Sequence, residues 1–297
     1  MSNLNTIKTP HFDPRRAQTL HKDPDTTKIF TLPSGHTLSY AERGSHTGTP
    51  ILYFHGTPGS CLKLSISHKT AQKYNVRIIA IDRPGYGGSS LRKSRKILDW
   101  PADVEQLAKH LQLSEYRVLG ASGGAPYALA CALRLPRDKL MGVGVACGAG
   151  PEYLQSFEKT ALNRLLLIMM ACFPMRHTTW ILDRALTQAI IAFVKKHWFP
   201  YGDPDEPYTE LFPEGFRTFL IDAWLLASPW GFCLEDVSFE TVKLWYGTKD
   251  EKTPISMAKV IAEKLQHARL KEYDGDDHFT LMQNREEEIL LDLLSGD

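Results

Sequence analysis

The stretch VLGASGGAPYALA, residues 118–130, surrounds one serine with Gly120, Ala121, Gly123 and Gly124. An apolar run precedes it and a helix-forming run follows it. A serine hydroxyl is a weak nucleophile unless a base removes its proton and its oxygen faces the substrate. A sharp strand-to-helix turn provides that exposure and tolerates only small residues two positions to either side. Gly120 and Gly124 stand at those positions, so Ser122 reads as a candidate nucleophile in a G-x-S-x-G turn. The start of the following helix adds free N–H groups and a dipole that favour a developing anion. A glycine-rich turn that merely packs closely is the alternative. A phosphate loop does not fit, because there is no G-x-x-x-x-G-K-[ST] and no G-x-G-x-x-G after a strand.

A nucleophilic serine needs a histidine base, and the histidine needs an orienting carboxylate. His278, in YDGDDHFTL, follows the last strand-like segment and precedes the closing helix. Asp250, in LWYGTKDEKTP, lies three residues past Gly247, after the preceding strand. Singly, Asp250 also reads as a turn residue capping the next helix, and His278 as a surface-loop histidine. Their joint placement at strand ends favours chemistry. Asp276 and Asp277 are competing acids, but they are too close in sequence to His278 to reach its far nitrogen easily. The anion of a tetrahedral intermediate needs donors. FHGTPGS, residues 54–60, follows an apolar strand and offers the N–H of Thr57, to be paired with that of Gly123. Pro58 has no N–H to give. Gly56 lets the backbone approach a ligand, and His55 is expected to fix the loop through a side-chain hydrogen bond.

These residues must be positioned by elements, and the apolar pattern supplies them. KIFTL and HTLSYAER alternate around Pro33-Ser34-Gly35 and predict an antiparallel hairpin. Residues 51–56, 76–82, 116–121, 140–146, 242–247 and RLKEYD read as further strands. Residues 101–111, 125–134, 255–265 and 279–294 read as helices. Strands alternating with helices predict a mostly parallel central sheet covered on both faces. The alternation stops from 150 to 237, where apolar helical stretches such as ALNRLLLIMMACF predict a helical cap inserted after the sixth strand. The expected divisions are a polar arm over 1–26, core over 27–149, cap over 150–237 and core again over 238–297.

Composition narrows the function classes. With 35 basic and 34 acidic residues the net charge is +1, which gives no reason to expect a nucleic-acid partner. The basic run LRKSRK, residues 91–96, reads as a solvated loop, with steering of an anionic substrate as the alternative. The five cysteines form no C-x-x-C pair, so neither a metal site nor a disulfide framework is expected, and free thiols in a reducing compartment fit. The N-terminus lacks the apolar core of a signal peptide. The longest apolar run, LLLIMMACF, is too short for the roughly 20 residues of a membrane span. A cytoplasmic protein without stable membrane insertion is expected. The oligomeric state stays open, a homodimer included.

Together these motifs resemble the α/β-hydrolase superfamily over nearly the whole chain from Lys28. HGTPGS is similar to its H-G-x-P-G oxyanion loop and DRPGYGGSS, residues 82–90, to its D-x-P-G-x-G-x-S turn. GASGG matches its nucleophile elbow, and GTKDEKTP and DDHF match its acid and base loops, in the chain order Ser122, Asp250, His278. One departure is Asp277, where relatives often have glycine. The resemblance implies an α/β-hydrolase fold with a serine nucleophile and no cofactor. A serine disfavours the dehalogenases and epoxide hydrolases of this fold, which use aspartate. The expected function is a serine hydrolase acting on an ester-type bond of a lipophilic small molecule, since the predicted cap is rich in Leu165–Met170, Phe173, Trp180 and Phe193. A non-hydrolytic lyase or cyclase, and a small-molecule receptor, are the rivals that fold alone leaves open.

Overall fold

A computed structural model describes residues 27–151 and 216–296. Eight strands form one sheet: β1 (Lys28–Thr31), β2 (Thr37–Gly44), β3 (Thr49–Phe54), β4 (Val76–Ile81), β5 (Tyr116–Ala121), β6 (Leu140–Ala146), β7 (Val242–Gly247) and β8 (Ala268–Tyr273). Their spatial order is β1-β2-β4-β3-β5-β6-β7-β8. The β1–β2 and β2–β4 pairs are antiparallel, and every other pair is parallel. This is the α/β-hydrolase fold, as the alternating apolar segments and motifs predict.

The central strands β3–β7 are largely apolar because both faces are covered. Side chains alternate between two layers. Leu52, Phe54, Ile79, Ile81 and Val118 pack into one. Ile51, Tyr53, Ile78, Ala80 and Leu119 pack into the other. Helices α2 (Trp100–His110), α3 (Ala125–Arg134) and α5 (Ile255–Lys264) cover the first layer, through residues such as Leu107, Ala128 and Ile261. Helices α1 (His68–Lys73) and α6 (Thr280–Leu294) cover the second, through Ala71, Leu281 and Ile289. Each such buried Leu or Ile contributes about 1.5–3 kcal/mol by leaving water. Helix α1 escapes sequence periodicity because its six residues make fewer than two turns; its signal is Ser67, whose hydroxyl accepts the Thr70 N–H at 3.1 Å.

The predicted cap over 150–237 lies mostly outside the described residues, as do its apolar residues 165–193 and the predicted arm over 1–26. Its described C-terminal part contains α4 (Phe216–Ala227) and a short 3₁₀ turn at Leu234–Asp236, between β6 and β7. No helix of the described residues is long and apolar enough to cross a membrane.

The strand order places the site. The chain passes from β3 outward to β4, then returns to the other side of β3 for β5. Ligand crevices form at the carboxyl ends of strands where the order reverses in this way. The loop after β3 and the turn after β5 therefore meet at that reversal, with Phe54 of β3 opposite Gly120 of β5.

Candidate active site

Ser122 sits between β5 and α3 with φ of 51°, in the left-handed region that costs a non-glycine residue energy. Close packing explains the glycines around it. A Cβ on Gly120 would stand 2.5 Å from the Gly124 carbonyl oxygen, and one on Gly124 would stand 2.2 Å from that of Phe54. Both obstacles are backbone, so the turn is tied to β3 as well as to β5.

His278 joins Ser122 to Asp250. Its Nε2 lies 3.0 Å from Ser122 Oγ and its Nδ1 lies 2.8 Å from Asp250 Oδ2. Nδ1–H therefore donates to the carboxylate, and Nε2 is free to accept the serine proton. Asp250 is buried and its position is over-determined. Oδ1 accepts the N–H groups of Lys252 and Thr253, both at 2.8 Å, and Oδ2 lies 2.8 Å from the Thr253 hydroxyl. Burial would raise the Asp250 carboxyl, but the neighbouring His278 and the hydrogen bonds outweigh it and hold it below its ordinary value. Thr253 is a positioning residue that motif matching does not flag. Asp276 and Asp277 do other work: Asp276 binds Asn284 and Arg285, and Asp277 Oδ1 receives the N–H groups of Phe279 and Thr280 at the start of α6.

The loop after β3 faces the elbow. A Cβ on Gly56 would lie 3.2 Å from Ser122 Cβ, and one on Gly123 would lie 3.1 Å from the Thr57 nitrogen. The structure thus brings Thr57 and Gly123 side by side, next to Ser122. His55 is buried and its tautomer is determined. Nε2 accepts the Arg83 N–H at 3.2 Å, so Nδ1 carries the proton and donates to the Gly56 carbonyl at 2.8 Å. Burial, with the Arg83 charge, drives the ring well below its ordinary value, so it stays neutral.

Behind this loop lies a cluster absent from the sequence analysis. Asp222 of α4, fully buried, receives Thr57 Oγ1 at 2.6 Å, Arg83 Nη2 at 2.6 Å, Arg95 Nη2 at 2.9 Å, and the hydroxyls of Tyr86 at 3.1 Å and Tyr127 at 2.9 Å. Burial pushes the carboxyl up, but two guanidinium charges outweigh it and hold it far below the carboxylate range. Arg95 corrects the reading of LRKSRK as a solvated loop: it is buried against Asp222 and the Pro84 carbonyl, while Arg92 pairs with Asp103 at 2.6 Å. A sequence signal existed, since Asp222 is the lone charge within FLIDAWLLA, residues 219–227, and a buried lone carboxylate must be paired.

The Cys147 thiol lies close enough to Asp250 and His278 for the three to form a potential metal set, all within 4.8 Å. Burial pushes that thiol well above its ordinary value, and the other two groups are already bound to each other, so the set is a poor ligand shell.

The site thus joins a serine on a tight strand-to-helix elbow, a histidine bridging it to a buried carboxylate, and the Gly56–Thr57 backbone beside Gly123. The sequence family described as the alpha/beta hydrolase family matches residues 51–290, and the chain belongs to it. A proline iminopeptidase of Arabidopsis thaliana is 27% identical over 148 residues, covering 46% of this chain and 38% of its own length. The chain thus spans about two fifths of that relative. Among solved structures, a carboxylesterase of Nitrososphaera gargenis superposes with a TM-score of 0.63 at 18% identity, covering 90% of this chain and 97% of its own. A bromoperoxidase of Bacillus anthracis does so with a TM-score of 0.64 at 16% identity, covering 91% and 99%. At such identities these structures speak for the fold alone.

Proposed function

We propose that the protein is a serine hydrolase that cleaves an ester-type bond of a lipophilic small molecule through an acyl-enzyme. The observation that carries this reading is His278, with one ring nitrogen 3.0 Å from Ser122 Oγ and the other 2.8 Å from Asp250. His278 takes the Ser122 proton as Oγ attacks the substrate carbonyl. The N–H groups of Thr57 and Gly123 hold the oxyanion. His278 then protonates the leaving group, and water repeats the cycle on the acyl-enzyme. Asp250 keeps the ring in the Nδ1–H tautomer and stabilises its cation. The residues suffice for this cycle without a cofactor. The lipophilic preference rests on the apolar composition of the predicted cap, and the cytoplasmic location on sequence alone.

The similarity to a proline iminopeptidase supports a second reading on the same machinery, in which the bond is an N-terminal amide. Labelling with a fluorophosphonate probe, wild type beside Ser122→Ala, tests the shared chemistry. Labelling confined to the wild type is expected. An unlabelled, folded wild type would refute an activated serine and leave the lyase and receptor readings. A panel of p-nitrophenyl esters of increasing chain length, run beside prolyl-β-naphthylamide, then separates ester from amide preference.

A further inference from the structure

The peptide unit joining Gly56 to Thr57 has two ends with different tasks. Its N–H is the oxyanion donor of the proposed reaction, so the inference here rests on that reading. Its carbonyl, on the opposite edge, accepts the His55 Nδ1–H at 2.8 Å and Arg83 Nη2 at 3.1 Å. Arg83 Nη1 donates to the carbonyl of the preceding peptide, that of His55. Arg83 Nη2 also reaches Thr57 Oγ1 at 2.8 Å, and that hydroxyl donates to Asp222 at 2.6 Å. Arg83 follows β4, the strand beside β3, and Asp222 belongs to α4, in the segment between β6 and β7.

We propose that Arg83, locked by Asp222, is a positioning residue that sets the orientation and donor strength of the Thr57 N–H, and so gives α4 a hold on the oxyanion hole.

Two physical reasons support this. A peptide plane is rigid, so fixing its carbonyl backward fixes its N–H forward. Here two donors fix the carbonyl, and the Thr57 side chain is fixed independently by Arg83 and Asp222. Second, a carbonyl bonded to a charged donor polarises its peptide, and the N–H of a polarised peptide donates more strongly; hydrogen-bond chains strengthen in this way by roughly 10–30% per bond. The arrangement is also preorganised. Arg83 and Asp222 are buried at 0% exposure, so neither reorients when the anion forms.

The test compares Arg83→Lys and Asp222→Asn with the wild type in hydrolysis of p-nitrophenyl butyrate, and in inhibition by a trifluoromethyl ketone bearing a butyl chain. That ketone adds Ser122 Oγ to its carbonyl, leaving an oxyanion where the reaction's own would stand. Losing a whole oxyanion donor lowers kcat about 10²–10³-fold. A donor that is present but mis-aimed should lose less, roughly 10- to 100-fold. KM should stay within about twofold, and Ki for the ketone should rise by the same factor as kcat/KM falls. A purely structural role would lower the melting temperature and leave kcat and Ki within twofold of wild type at a temperature where the variants are folded, and that result overturns the inference. Should Asp222→Asn fail to fold, Thr57→Val keeps the N–H and removes the hydroxyl link, and the same split of kcat from KM is expected. Fluorophosphonate labelling separates the two levels. An unlabelled wild type overturns the hydrolase reading and this one with it; a labelled wild type whose variants keep kcat and Ki overturns this one alone.

Discussion

Replacing Asp250 with asparagine removes a charge and almost no volume, and the structure fixes what the new amide must do. Oδ1 of Asp250 accepts two backbone N–H groups, from Lys252 and Thr253, at 2.8 Å each. In the variant the amide oxygen takes that place, because the alternative sets an NH₂ against two N–H donors. Each buried donor left without a partner costs about 1–3 kcal/mol, so the alternative lies about 4 kcal/mol higher. At 1.36 kcal/mol per tenfold, that leaves about one molecule in a thousand in it. The NH₂ then faces His278 Nδ1, which must turn acceptor, and the ring proton moves to Nε2. A ring protonated at Nε2 cannot take the Ser122 proton. Loss of the charge that stabilises the imidazolium comes on top, so kcat should fall about 10⁴-fold, as the same exchange does in a serine-protease triad. The assay is steady-state hydrolysis of p-nitrophenyl butyrate at neutral pH, with folding confirmed by the melting curve. A folded variant that loses less than about tenfold would refute both the orienting role of Asp250 and the tautomer argument.

Other expectations concern the frame around the site. Gly124→Ala drives a methyl to 2.2 Å from the Phe54 carbonyl oxygen, so overpacking should destabilise the protein by about 3 kcal/mol, read as a fall in melting temperature of roughly 6–12 °C; an unchanged melting temperature would show that β3 yields. Burial raises the Glu42 carboxyl, but Arg77 at 2.7 Å and Lys28 at 2.8 Å outweigh it and bring it down to about 2. A depressed carboxylate stabilises the fold fully above its unfolded value, near 4.5, and loses that contribution as pH falls toward 2. Glu42→Gln should therefore flatten the stability curve, measured by urea titration, between about pH 4.5 and 2; an unaltered slope would show the pair to be inert there.

The sequence made the repeating and the local parts legible. Strands such as Ile51–Phe54 and Val76–Ile81 are readable because burial on both faces forces largely apolar runs, interrupted here only by Arg77. The elbow is readable because backbone crowding leaves only glycine at 120 and 124. Ser122, Asp250 and His278 each stand at a strand end, so their chain order could be matched before their distances were known. Of the Asp222 cluster only the lone carboxylate in an apolar run was legible; its partners come from four separate segments, and no local rule links residue 222 to residue 83. The basic run shows the same limit. Nothing near Arg95 distinguishes it from the exposed Lys93 and Lys96, and its burial depends on a carboxylate more than a hundred residues away. Thr253 lies in between: its spacing from Asp250 is local, but its meaning depends on where His278 ends up.

Because Phe54 and Gly120 are register partners on adjacent parallel strands, the loop that carries Thr57 and the turn that carries Ser122 start one strand spacing apart, about 4.8 Å. That spacing is a lattice constant of the backbone, insensitive to which aliphatic side chains fill the layers on either side. Sequence drift in those layers should then erode stability long before it misaligns the chemistry. The one error the lattice admits is a slip of a whole residue, about 3.3 Å, which also inverts every facing side chain. Damage to this site by core mutation should arrive in steps: a population of molecules that works in full alongside one that does not work at all.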